Sequence, residues 1–266
     1  MGFAAFFAIV FLFAGVGYAL DVQLQPGTAQ REVGGKVRVH IIATDVTDLI
    51  SFGVEVGYNT CVLEVDQANT AKNTDFNTGF VMDPDGEPEG TQYTDPDVTY
   101  GAETCTDTFA AGTVRMMGGR LIGESTTGLD APVLLGWITF TAVAEGESDL
   151  TINLYHNTST FANFVGLGGP PAPVYDTTIP DYASFPAQRA TICVIAGACV
   201  GDINGNGVVD MGDFSDLRAA MGQAFPQAGY DLNADLNGNG AVDMGDFAIL
   251  RGQMGTSSCP VCPSAP

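Results

Sequence analysis

In the run SFGVEVGY, Phe52, Val54, Val56 and Tyr58 alternate with Gly53, Glu55 and Gly57. A period of two puts the large apolar side chains on one face, as a half-buried strand requires. VRVHIIATDV, CVLEV, TVRMM, VLLGWITFTAV and DLTINLY are rich in apolar, largely β-branched residues and predict further strands. Clusters of Gly, Asn, Asp and Pro separate them, and residues 71–97 and 166–186 are expected to be long loops. Many short strands punctuated by turns predict a mainly β fold, an antiparallel β-sandwich of jelly-roll type over residues 20–196. After VIAGACV at 194–200 the period changes. FSDLRAAM spaces Phe214, Leu217 and Met221 at i, i+3 and i+7, and FAILRGQM spaces Phe247, Leu250 and Met254 identically. Two short helices with apolar faces that pack on each other are expected there.

A glycine- and asparagine-rich loop precedes each helix: DINGNGVVDMGD at 202–213 and DLNGNGAVDMGD at 235–246. Residues 202–222 and 235–255 agree at 15 of 21 positions, which marks an internal duplication. Each loop has Asp at position 1, Asn at 3 and 5, Gly at 6, and Asp at 9 and 12, the spacing of EF-hand calcium loops. Calcium is a hard cation that wants six to eight oxygens. Asp202, Asn204 and Asn206 alternate and can turn inward, Val208 offers its carbonyl, Asp210 acts directly or through water, and Asp213 closes the site. Asp235, Asn237, Asn239, Ala241, Asp243 and Asp246 repeat the set. Gly207 and Gly240 permit the sharp turn. No helix precedes the first loop, so each unit is a loop plus one exiting helix. Residues 199–258 hold eight Asp, no Glu and two Arg, a net of −6 that two calcium ions would bring to −2.

The whole chain of 266 residues carries 31 Asp plus Glu against 9 Lys plus Arg, a net charge of −22. That excludes nucleic acid and anionic membrane as partners, because both need clustered cations. The apolar N-terminus with small residues at Gly17 and Ala19 predicts a signal peptide over 1–19, and hence a secreted protein, although an uncleaved anchor is the competing reading. Cys61, Cys105, Cys193, Cys199, Cys259 and Cys262 fit disulfides in an oxidising compartment. Cys259 and Cys262 form a lone CxxC with no histidine near it, so zinc is not expected. No catalytic motif surrounds His40 or His156, the two histidines. DPDGEPE at 83–89 is expected to be a solvated acidic loop, with calcium binding as its alternative, and Trp137, the lone tryptophan, a core residue, with sugar stacking as its alternative. No enzyme activity is expected.

The paired loop-helix units and YDLNADLNGNG resemble the dockerin type I family over 199–258, with a tail at 259–266. The order LISFGVEVGYNTCVLEV, then LLGWITFTAVAEGESDLTINL, resembles cohesin domains and related carbohydrate-binding modules. The resemblance implies a non-catalytic, extracellular or cell-surface assembly protein of a polysaccharide-processing system, whose calcium-loaded dockerin docks on a cohesin-type partner. It places recognition at Met211, Gly212, Arg218 and Ala219, and at Met244, Gly245, Arg251 and Gly252. It also implies that the dockerin ends lie close, clasped by a disulfide from Cys199 to Cys259 or Cys262. Polysaccharide binding by the sandwich is the alternative, and self-association follows if the sandwich accepts its own dockerin.

Overall fold

The computed structural model describes residues 22–44, 46–76, 98–119, 127–154, 165–166, 190–225, 227 and 229–260. The expected signal peptide, most of the two long loops, the acidic run at 83–89, His156 and Cys262 lie outside them.

Two sheets face each other, as the alternating runs require. The first has the order β1 (Val22–Gln25), β3 (Lys36–Ala43), β9 (Val133–Ala142), β5 (Leu63–Val65), with β6 (Ala71–Lys72) also on β9. The second runs β2 (Thr28–Arg31), β12 (Ala190–Val194), β10 (Gly146–Leu154), β4 (Leu49–Asn59), β8 (Ala111–Gly119), β7 (Val98–Ala102), with β11 (Val165–Gly166) on β4. The pairings are antiparallel except β2 with β12, which is parallel. β1, β2, β7 and β12 arise outside the runs that predicted strands, and β6 occupies the start of an expected loop. Val37, Val39 and Ile41 of β3 and Leu135, Ile138 and Phe140 of β9 form one side of the core. Phe52, Val54 and Val56 of β4, with Val114 and Met116 of β8, form the other. Cys61 and Cys105 are disulfide-bonded and pin the turn before β5 to the chain after β7.

Trp137 corrects the expectation of a core tryptophan. Simple alternation from the buried Leu135 would turn Trp137 inward. The β3–β9 register shifts instead, with Ile41 opposite Gly136 and Ile42 opposite Leu134. The extra residue reverses the parity of β9, as a bulge does. Ile138 and Phe140 then fill the core, and Trp137 stands half-buried on the outer face.

The C-terminal part holds α1 (Met211–Ala220) and α2 (Met244–Gln253). Their apolar faces meet as expected: Leu217 and Leu250 are buried, and the Phe214 and Phe247 rings lie 5.8 Å apart. Met254 departs from this pattern. It caps α2 with an extended backbone and is 41% exposed. This module sits on the outer face of the first sheet. Phe225 packs against His40 at 4.7 Å and Trp137 at 5.4 Å between ring centroids.

The sandwich core predicts its own sensitivity. Phe140 is fully buried between the sheets, so Phe140→Ala is expected to lower unfolding free energy by about 3–5 kcal/mol in denaturant titrations.

Candidate functional site

Each loop is shaped by amides turned onto its own carboxylates. In the first, Asp202 Oδ1 accepts from Asn206 N at 3.0 Å and Oδ2 accepts from Gly207 N at 2.8 Å. Asn204 Oδ1 accepts from Asn206 N, and Asn206 Oδ1 accepts from Val208 N. Asp213 ties both ends together: Oδ1 accepts from Asn204 N at 3.1 Å and Oδ2 from Asp210 N at 2.8 Å. Asp210 in turn accepts from Gly212 N at 2.7 Å, completing a capping box at the start of α1.

Every one of these bonds recurs in the second loop, among Asp235, Asn237, Asn239, Gly240, Ala241, Asp243, Gly245 and Asp246. Gly207 and Gly240 turn the chain with φ of +86° and +90°, a region closed to most side chains. All twelve residues expected as ligands thus lie on two matching rings.

The rings fit a hard divalent cation. Their side-chain donors are oxygens of Asp and Asn. Asp213 and Asp246 are fully buried, and a buried carboxylate without a counter-charge is costly. Burial raises the Asp246 pKa above the usual carboxylate range; amides of Asp243 and Asn237 oppose that, while the charges of Asp235 and Asp243 add to it. Among the described residues no three His, Cys, Asp or Glu side chains cluster as a metal cage. The rings depend on Asn and backbone carbonyls to complete their donor count. Calcium held there would supply charge and fix the loop geometry, with no reaction implied.

The residues expected to meet a partner are displayed at the surface. Met211 and Met244 are 64% and 67% exposed, and Gly212, Arg218, Ala219, Gly245, Arg251 and Gly252 are exposed as well. Cys199 is bonded to Cys259, which selects one of the two expected clasps, and Cys193 is disulfide-bonded too.

Sequence reasoning missed the residues that surround the second loop. Tyr230 Oη donates to Asp235 Oδ2 at 2.7 Å, and burial beside that carboxylate drives the phenol far above its ordinary pKa. Arg31 lies near Asp235; burial lowers its pKa to about 10, against the pull of that carboxylate. Arg38 stands over Trp137 at 5.5 Å from the ring centroid. His40 is buried beneath Phe225 and Tyr230, and burial, with Arg38 beside it, lowers its pKa to about 4, so it is neutral near pH 7. The available signal was alternation: Lys36, Arg38 and His40 interleave with Val37, Val39 and Ile41, which places three basic residues on the outer face of β3.

Residues 200–254 match the family model of the dockerin type I domain. No curated protein matches the chain. Among solved structures, the seventh ScaB type I cohesin from Pseudobacteroides cellulosolvens is 16% identical with a TM-score of 0.38, over 67% of this chain and 94% of that one. CaCohA2 from Clostridium acetobutylicum is 18% identical with a TM-score of 0.37, over 67% and 91%. A non-cellulosomal cohesin from the archaeon Archaeoglobus fulgidus is 10% identical with a TM-score of 0.30, over 66% and 91%. These likenesses are loose.

Removal of calcium is expected to collapse the helical signal. Far-UV circular dichroism in excess chelator should lose most of the contribution of α1 and α2 and regain it on adding calcium. Helix content identical in chelator and in calcium would exclude a folding role for the ion.

Proposed function

We infer that the chain is an extracellular, non-catalytic assembly protein, with a leader at 1–19, a sandwich at 20–196, a dockerin module at 199–258 and a tail at 259–266. The module binds two calcium ions through the twin rings and docks on a cohesin-type partner. Dockerin type I domains bind calcium and serve as assembly modules, and the match over 200–254 supports reading this segment the same way. The observation that carries the docking surface is the pair Met211 and Met244. Both are large, apolar and mostly exposed, at equivalent first positions of α1 and α2. The packing of the module on the sheet leaves both uncovered.

A glycan-binding sandwich has less support. Trp137 carried that alternative, and its indole is engaged: Nε1 donates to Asn69 O at 3.0 Å, while Phe225 and Arg38 pack on the ring.

The internal duplication makes a specific prediction. With two equivalent faces, Met211→Ala or Met244→Ala alone leaves one face intact and should weaken binding only slightly. The double variant should weaken it roughly fivefold or more, since loss of an apolar anchor typically costs over about 1 kcal/mol. Calorimetry of the full chain against a panel of purified cohesin domains, in calcium and in chelator, measures this. Binding to none of them, or equal binding in chelator, rejects the reading.

A further inference from the structure

The two loops repeat each other bond for bond, yet their surroundings differ. Asp202 is partly exposed, and with Gly205 and Gly207 it lines a cavity of about 260 Å³ at the seam between module and sheet, which Arg31 and Arg38 line from the sheet side. Asp235 is 1% exposed and accepts from Tyr230 Oη. Gly205 and Gly207 have open space where a Cβ would stand. Their counterparts do not. A Cβ on Gly238 would meet the β3 backbone, and one on Gly240 would overlap the guanidinium of Arg38. Arg31 adds a second cation, in electrostatic contact with Asp235. The sequence makes the loops equal, and the sandwich makes them unequal.

We propose that the sandwich seats the second loop in cis and, through Arg31 and Arg38, makes it the weaker calcium site, so that calcium entering the second loop loosens the module from the sheet. This rests on the calcium reading given above. The two guanidiniums act twice. While the first loop is filled and the second empty, they offset negative charge at Asp235, so calcium has less repulsion left to relieve. With metal they stand as like charges against it. The first loop carries the same internal hydrogen bonds but meets the guanidiniums across an open cavity, so the close contact of the second loop with Arg38, together with the Tyr230 hydroxyl on Asp235, decides the difference.

Coupling of this kind is reciprocal: whatever factor docking removes from calcium affinity, calcium removes from docking. The seam is also built to part. Gln30 Oε1, Arg38 Nε and His40 Nε2 are buried without hydrogen-bond partners among the described residues, and undocking returns them to water. Calcium levels between the two affinities then hold a module with its first loop filled and its second loop still seated. Higher calcium frees it.

Calcium titrated calorimetrically into the chelator-stripped full chain tests this. Two steps are expected, separated by a factor of roughly 5 to 150. Asp246→Asn should abolish the weaker step and spare the stronger one. Arg38→Gln should raise the weaker affinity toward the stronger and leave the latter unchanged. Phe225→Ala opens the seam without touching a charge and should do the same, so the test survives if Arg38→Gln folds poorly. Small-angle scattering should show the wild-type chain expanding across the second step. Two equal sites in the wild type, loss of the stronger step in Asp246→Asn, or a weaker step unmoved by both seam variants overturns the proposal and leaves calcium binding intact. No calcium heat at all overturns both.

Discussion

Two buried carboxylates, Asp213 and Asp246, hold the C-terminal module in shape, and their charge is the constraint around which the rest is arranged. Each accepts one amide from its own loop and one from the N-cap of the helix it begins. That clips loop and helix into one unit. The positive end of the helix and the two amides favour the ionised carboxylate. Burial and the neighbouring aspartates oppose it, and for Asp246 burial is the largest influence. Desolvation of an ion costs several kcal/mol even after relaxation. A divalent cation coordinated by the same loop would correct that imbalance, where a monovalent side chain would lack both the charge and the reach.

The module has little else to rely on. Among the described residues its core has eight buried members, including Val209, Leu217, Val242 and Leu250, and a core that small seldom holds a fold by itself. The Cys199–Cys259 bond closes a loop with a sequence separation of 60, worth roughly 4 kcal/mol of chain entropy. It joins the ends of the module next to the first loop, where Cys259 N also donates to Gly207 O. The disulfide and the core shared by Leu217 and Leu250 thus restrain the same short segment, and metal in the loops would add a third restraint. The sandwich has a much larger core besides its own Cys61–Cys105 bond.

What the sequence made legible followed from period and repetition. Strong alternation located β4, because a buried face allows only one parity, and apolar, β-branched composition located β3 and β8. The duplicated spacing located both rings, because each ring is built from residues close in sequence. Features that depend on residues far apart were hidden. β2 and β12 pair across more than 150 residues, and neither TAQR nor ATICV has a strand pattern strong enough to stand alone. Trp137 was misplaced by one inserted residue in β9, which no local pattern announces. The seam required knowing that residue 225 returns to residues 40 and 137, a tertiary fact.

That seam changes what the duplication means. By sequence the module has a pseudo-two-fold axis and two interchangeable faces. Seating the second loop against β3 breaks the symmetry around the two loops while leaving it intact at Met211 and Met244, which are both exposed. The two properties separate because they lie on different parts of the repeat: the anchors begin the helices, whereas the glycine turns that meet Arg38 lie earlier in the loop. A duplicated module can therefore offer a partner two equivalent docking faces and still respond to calcium in two stages. The asymmetry comes from β2 and β3 of the neighbouring sandwich, and no change inside the repeat is needed to produce it.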